Sequence, residues 1–174
     1  MTEPKLNRRI FMMSTGGAVG TVGLAGSGAA NAQKAAQHAA TGMALTYPRQ
    51  VVAKASTLPL NQATAFMYPD ASSRCYAIRL GSSVPSGVGP NKDIVAYSGM
   101  CTHMGCPVAY VPETKSFKCG CHYSMFDAEL DGQMIVGQAT EDLPRVLLEF
   151  DDKTGAVHAV GIDGLLYGRQ ANIL

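Results

Sequence analysis

Cys101-Thr102-His103-Met104-Gly105-Cys106 is answered downstream by Cys119-Gly120-Cys121-His122-Tyr123-Ser124. The two boxes place two Cys and two His at C-x-H-x15-C-x2-H spacing, with one further Cys inside each box. Each box offers one thiolate and one imidazole. Two loops of that kind can share a pair of metal ions, with thiolates on an iron that stays ferric and imidazoles on the iron that takes the electron. Replacing two thiolates by two neutral imidazoles removes negative charge, which favours the reduced state and raises the potential. A structural zinc site is the competing use of a Cys2His2 set. Zinc-finger spacings, however, pair Cys with Cys and His with His, whereas each box here mixes the two.

The segment between the boxes explains how they meet. Val108-Ala109-Tyr110-Val111 and Ser116-Phe117-Lys118 are strand-like, and Pro112-Glu113-Thr114-Lys115 between them is turn-prone. This predicts a hairpin that brings both boxes to one end of a small antiparallel unit. Upstream, Gln50-Val51-Val52-Ala53, Ala63 to Tyr68, Cys75 to Leu80 and Ile94 to Ser98 read as strands, as does Ala44 to Tyr47 before Pro48. Alternation puts Cys75 on the face of Ala77, opposite Tyr76 and Ile78, as a small apolar strand residue. Gly81 to Asp93 is a long loop, suited to flanking the site or to a surface excursion. Downstream, Phe126 to Gln133 reads as a turn region, followed by Met134 to Gly137. A second hairpin pairs Val146 to Phe150 with Ala156 to Val160, leaving Gly161 to Leu174 as a tail. His38 and His158 fall outside the boxes and read as surface residues.

The whole chain has 174 residues, enough for one ordinary domain and a leader. Lys+Arg 14 against Asp+Glu 13 gives a net charge of +1, so no field draws nucleic acid. Charged residues are 16%, Gly is 19 and Trp is 0, which fits a loop-rich β protein. Asn7-Arg8-Arg9-Ile10-Phe11 precedes a small, uncharged apolar run that ends at Ala30-Asn31-Ala32. Residues 1–32 therefore read as a twin-arginine signal peptide and 33–43 as a polar tail. This predicts export to the periplasm; the alternatives are a plain Sec signal with incidental arginines and a retained leader acting as a membrane anchor. In an oxidising compartment a disulfide between the two extra box cysteines is chemically allowed.

With ligand type, spacing and the extra Cys pair together, residues 44–174 resemble the Rieske [2Fe-2S] proteins. The resemblance implies an all-β fold, a Rieske-type antiparallel β sandwich with a small cluster-binding subdomain at about 97–127. It implies a [2Fe-2S] cluster held by Cys101, His103, Cys119 and His122, and a disulfide between Cys106 and Cys121. After the second His the family pattern is Gly-Ser-x-Tyr-Asp, whereas this chain has Tyr123-Ser124-Met125-Phe126-Asp127. Ser124 keeps a hydroxyl that can donate to a cluster sulfur. Phe126 has none where high-potential members carry Tyr, which implies a lower potential within the Rieske range of about −150 to +300 mV. Pro144 falls near the place of the family's proline-rich third loop, which implies a covering role.

Cys101 to Cys106, Phe126-Asp127-Ala128, Gly137-Gln138-Ala139-Thr140, Leu143 to Leu148 and Tyr167 to Asn172 further resemble the small subunits of arsenite oxidases. That resemblance implies a molybdopterin-containing large subunit as partner, which oxidises arsenite. It also implies a periplasmic cytochrome c or azurin-like copper protein as acceptor. No substrate catalysis is expected from this chain alone. The competing readings are the Rieske subunit of a quinol–cytochrome c oxidoreductase, the ferredoxin of a ring-hydroxylating dioxygenase, and a structural zinc-binding module.

Overall fold

Alternate residues of two adjacent strands feed two different cores, and this places the cluster-binding end. The strands are part of a computed structural model that describes residues 47–168. The leader (1–32), the tail 33–43 with His38, the start of the strand expected from Ala44, and Arg169 to Leu174 lie outside the described residues.

Among the described residues, ten strands form two antiparallel sheets. In chain order they are β1 (Gln50–Lys54), β2 (Ala63–Met67), β3 (Arg74–Arg79), β4 (Ile94–Ser98), β5 (Val108–Val111), β6 (Ser116–Cys119), β7 (Met125–Asp127), β8 (Gln133–Val136), β9 (Arg145–Asp151) and β10 (Ala156–Asp163). The six-stranded sheet runs β1-β10-β9-β4-β3-β2 and the four-stranded sheet β5-β6-β7-β8. The only helical turn among the described residues is a three-residue 3-10 turn at Ala55–Thr57, so the protein is all-β as expected.

Successive side chains of a strand point to opposite faces. In β3, Cys75 and Ala77 enter one core with Tyr68, Ile94, Ala96, Val146, Val157 and Ala159. Ile78 enters the other, with Val95, Tyr97, Val108, Phe117 and Phe126, and Tyr76 packs against it. All five residues of β4 are buried, because both of its faces are covered. Phe117 joins the sheets, with its ring centroid 5.7 Å from that of Tyr97 and 6.0 Å from that of Tyr76. The Tyr97 hydroxyl donates to Ala128 O at 2.9 Å.

The small sheet is an excursion from the large one. The chain leaves after β4 and returns at β9, where Ser98 N donates to Pro144 O at 2.8 Å. The 81–93 loop fastens the excursion from one side. Ser82 Oγ and Lys115 Nζ both reach Glu129 Oε1, at 2.7 Å each, and Val84 is buried in the shared core.

Three expectations change. Phe126 stands in β7, opposite Phe117 of β6, rather than in a turn; the turn begins after Asp127, whose carboxylate accepts the Glu129 N–H. A three-residue strand is too short to show periodicity, and pairing with β6 decides it. Residues 47–49 are not strand. There Tyr68 Oη donates to Pro48 O at 2.9 Å. Strand β10 continues through Asp163, past a bulge between Ala159 and Gly161, so the expected tail starts as sheet.

Cys75 is fully buried, and its Sγ lies 3.4 Å from Tyr68 O. Burial pushes its thiol up from 9.0 to about 12. The folded protein thus holds this proton more tightly than the unfolded chain. The associated stability is whole below pH 9 and is lost as pH rises towards about 12. Cys75→Ala is expected to flatten that alkaline loss in denaturation midpoints measured across this window. Tyr68 and Tyr110, both raised to about 12, leave a residual slope, to which the raised Cys101 thiol adds in cluster-free protein. An unchanged slope would show that the thiol is not part of it.

Candidate metal centre

The first box fills the connection from β4 to β5, and the second joins β6 to β7. The two are built alike. In the first, Gly105 N donates to Cys101 O and Cys101 N donates to Cys106 O, both at 2.8 Å. In the second, Tyr123 N donates to Cys119 O at 3.1 Å and Cys119 N to Ser124 O at 2.9 Å. Each turn thus closes on its leading Cys and needs a left-handed residue four positions later. Gly105 has φ +72° and Tyr123 φ +59°. Gly105 has no alternative, because a Cβ there would stand 2.9 Å from the backbone of Gly168. Tyr123 faces open solvent at 67% exposure and tolerates the strain; Lys118 Nζ lies 5.7 Å from its ring centre.

Cys101 and Cys119 are buried free thiols, and their sulfurs are hydrogen-bond neighbours. Burial pushes the Cys101 thiol up; the His103 N–H at its sulfur acts against this, the Cys119 sulfur adds to it, and a hydrogen bond from Ser124 opposes it. His103 is half-buried and His122 exposed, with ring centroids 4.7 Å apart at 84°. Cys106 and Cys121 are joined by a disulfide that ties the two turns together. The sulfurs of Cys106, Cys119 and Cys121 lie within 4.8 Å of one another. Two of these are consumed by the disulfide, so this trio is a free thiol packed on a bridge and not itself a ligand set.

Two buried thiols on one side and two adjacent imidazoles at the surface suit a cluster of two irons with mixed ligation. Thiolates bind only after losing their protons, so the rise at Cys101 is a cost that metal loading must offset.

Ser124 is fully buried, and its Oγ accepts N–H bonds from Gln138 and Ala139 at 3.0 Å each. A third segment, 137–139, thus lies against Ser124 beside the two boxes. Pro144, expected to cover the site, is buried ahead of β9 with its carbonyl on Ser98 N, and residues 137–139 touch Ser124. Thr102 Oγ1 secures the same segment by donating to Glu141 O at 2.7 Å. The available signal was the glycine of Gly137-Gln138-Ala139-Thr140. Phe126, fully buried, belongs to the same core as Cys101 and Cys119.

The Rieske [2Fe-2S] domain is matched over residues 49–147. The chain belongs to the Rieske family. A Rieske domain carries a [2Fe-2S] cluster, and its chemistry is electron transfer. The chain is 33% identical over 172 residues to the iodate reductase subunit IdrB of Denitromonas iodatirespirans, covering 96% of this chain and 86% of that one. It is 39% identical over 72 residues to the cytochrome bc1 complex Rieske iron-sulfur subunit of Streptomyces lividans, covering 41% and 42%. The soluble domain of the Rieske protein II from Sulfolobus acidocaldarius shares the fold, with a TM-score of 0.64 at 24% identity over 74% of this chain and 83% of that one.

Proposed function

We propose that this Rieske protein is the electron-transfer subunit of a periplasmic molybdopterin oxidoreductase of the arsenite oxidase kind. It takes electrons from the large subunit and passes them to a cytochrome c or azurin-like copper protein. The observation that carries the electron-transfer role is the His103–His122 pair, whose rings sit 4.7 Å apart with His122 exposed. Cys101 and Cys119 would hold one iron and His103 and His122 the other. The cluster, when bound, supplies one-electron chemistry. The buried thiol side excludes water, and the imidazole side reaches the surface where a partner approaches. Residues 1–32 supply the export signal.

A second reading, iodate reduction, is favoured by the similarity to iodate reductase subunits across 96% of the chain. The two readings send electrons in opposite directions. The test is to purify the exported protein natively and record the reduced EPR spectrum, copurifying subunits and metal content. Assays then use arsenite with oxidised cytochrome c, and iodate with a reduced dye. A Rieske signal, stoichiometric molybdenum and arsenite-dependent cytochrome reduction support the first reading, and iodate-dependent dye oxidation alone supports the second. A copurifying cytochrome b would move the assignment to a quinol-oxidising complex. Bound zinc without a signal would leave a structural module.

Phe126 fills the place of a hydroxyl donor, so Phe126→Tyr is expected to raise the midpoint potential by several tens of millivolts in a redox titration. No rise would mean that a hydroxyl at this point of β7 does not reach the cluster.

A further inference from the structure

A hydroxyl group has one hydrogen to donate and two lone pairs with which to accept. At Ser124 both acceptor directions are taken by backbone N–H groups, Gln138 N and Ala139 N, each 3.0 Å from Oγ. The remaining hydrogen is then left for a third partner, and the Cys101 sulfur is within hydrogen-bond reach of the hydroxyl. Ser124 is fully buried, so no water competes for it. Gly137 allows this approach, because a Cβ there would lie 2.3 Å from Ser124 Cα and 2.7 Å from its Oγ. Thr102, next to Cys101, anchors the far end of the segment through Glu141 O.

We propose that the backbone amides of Gln138 and Ala139 are positioning groups for electron transfer, which fix the Ser124 hydroxyl as a one-way donor to the Cys101 side of the cluster. The inference rests on the Rieske reading and on Cys101 being a ligand. N–H groups that donate to Oγ also polarise the O–H, because hydrogen bonds in a chain strengthen one another. A stronger bond to a ligand sulfur stabilises the reduced, more negative cluster and raises the potential. The Gln138 side chain has no part in this; the residue is exposed and only its N–H is used.

The test is a set of redox titrations followed by EPR on the full chain. Gln138→Ala keeps the N–H and is expected to leave the midpoint potential unchanged. Gln138→Pro removes it and is expected to lower the potential in the same direction as Ser124→Ala, by less. In a Ser124→Ala background Gln138→Pro is expected to add no further fall. A Gln138→Pro protein with a Rieske signal and wild-type potential would overturn the proposal, as would an equal fall in both backgrounds. Wild-type protein without a Rieske signal would overturn the Rieske reading itself, and the proposal with it. If Gln138→Pro fails to hold the cluster, hydrogen exchange decides. Ser124→Ala removes the acceptor, so the Gln138 and Ala139 amides are expected to exchange faster than in wild type. Unchanged protection of both would overturn the proposal.

Discussion

Gly137→Ala is expected to cost about 2–5 kcal/mol and to strip the protein of most of its cluster. The new Cβ would meet Ser124 Cα at 2.3 Å, Ser124 N at 2.6 Å and Ser124 Oγ at 2.7 Å. Contacts this short cannot be relieved by a rotamer change, since two of the three atoms are backbone. They are backbone atoms of the very turn whose N–H and C=O close on Cys119. Gly137 also has φ +114°, which side-chain-bearing residues rarely adopt. The estimate combines about 1–2 kcal/mol for the backbone conformation with about 1–3 kcal/mol for overpacking. Against a typical stability of about 5–15 kcal/mol this is a large fraction. Chemical denaturation measures the first effect and EPR spin counting the second. Wild-type values in both would mean that the 137–139 segment swings away from Ser124 at no cost.

Cys106→Ala or Cys121→Ala is expected to be comparably severe. The bridge spans a sequence separation of 15. In the chain-entropy account, a loop of that length contributes about 3 kcal/mol. It is also the one covalent tie between the box turns among the described residues, and Cys119 packs directly on it. Losing it frees the two turns, and with them the facing ligands, to separate. The expected result is a lower denaturation midpoint together with a reduced iron content. Because Cys121 is exposed and Cys106 half-buried, dithiothreitol is expected to reproduce both changes in the wild-type protein. Full iron retention after proven reduction of the bridge would show that the hairpin alone holds the turns in place.

The parts of this site that were legible in the sequence are those written as local pattern. The two boxes and the turn-forming Pro112 to Lys115 between them are contiguous, so spacing alone predicts that they face each other. The alternation of Cys75, Tyr76, Ala77 and Ile78 likewise predicts which side of β3 each residue takes. What was not legible depends on distant pairing. Phe126 becomes strand only because β6 lies beside it. The grip on Ser124 comes from N–H groups, which every residue but proline carries and which leave no trace in residue type. Only Gly137 hinted at a close approach there, and a glycine by itself does not say what approaches. The family's proline-rich third loop points to Pro144, whereas the N–H groups on Ser124 come from Gln138 and Ala139, earlier in the same connection.

The route of the chain into and out of the small sheet has a consequence of another kind. Departure at Ser98 and return at Pro144 meet in a single hydrogen bond of 2.8 Å. Along the chain, the whole redox end is therefore inserted at one point of the six-stranded sheet, and the shared core and the 81–93 loop hold it there. A lobe attached this way can be lengthened, trimmed or exchanged without re-threading any strand of the sheet that carries it. Selection can reshape the exposed tip for a new partner, provided that the core residues shared with the body are kept.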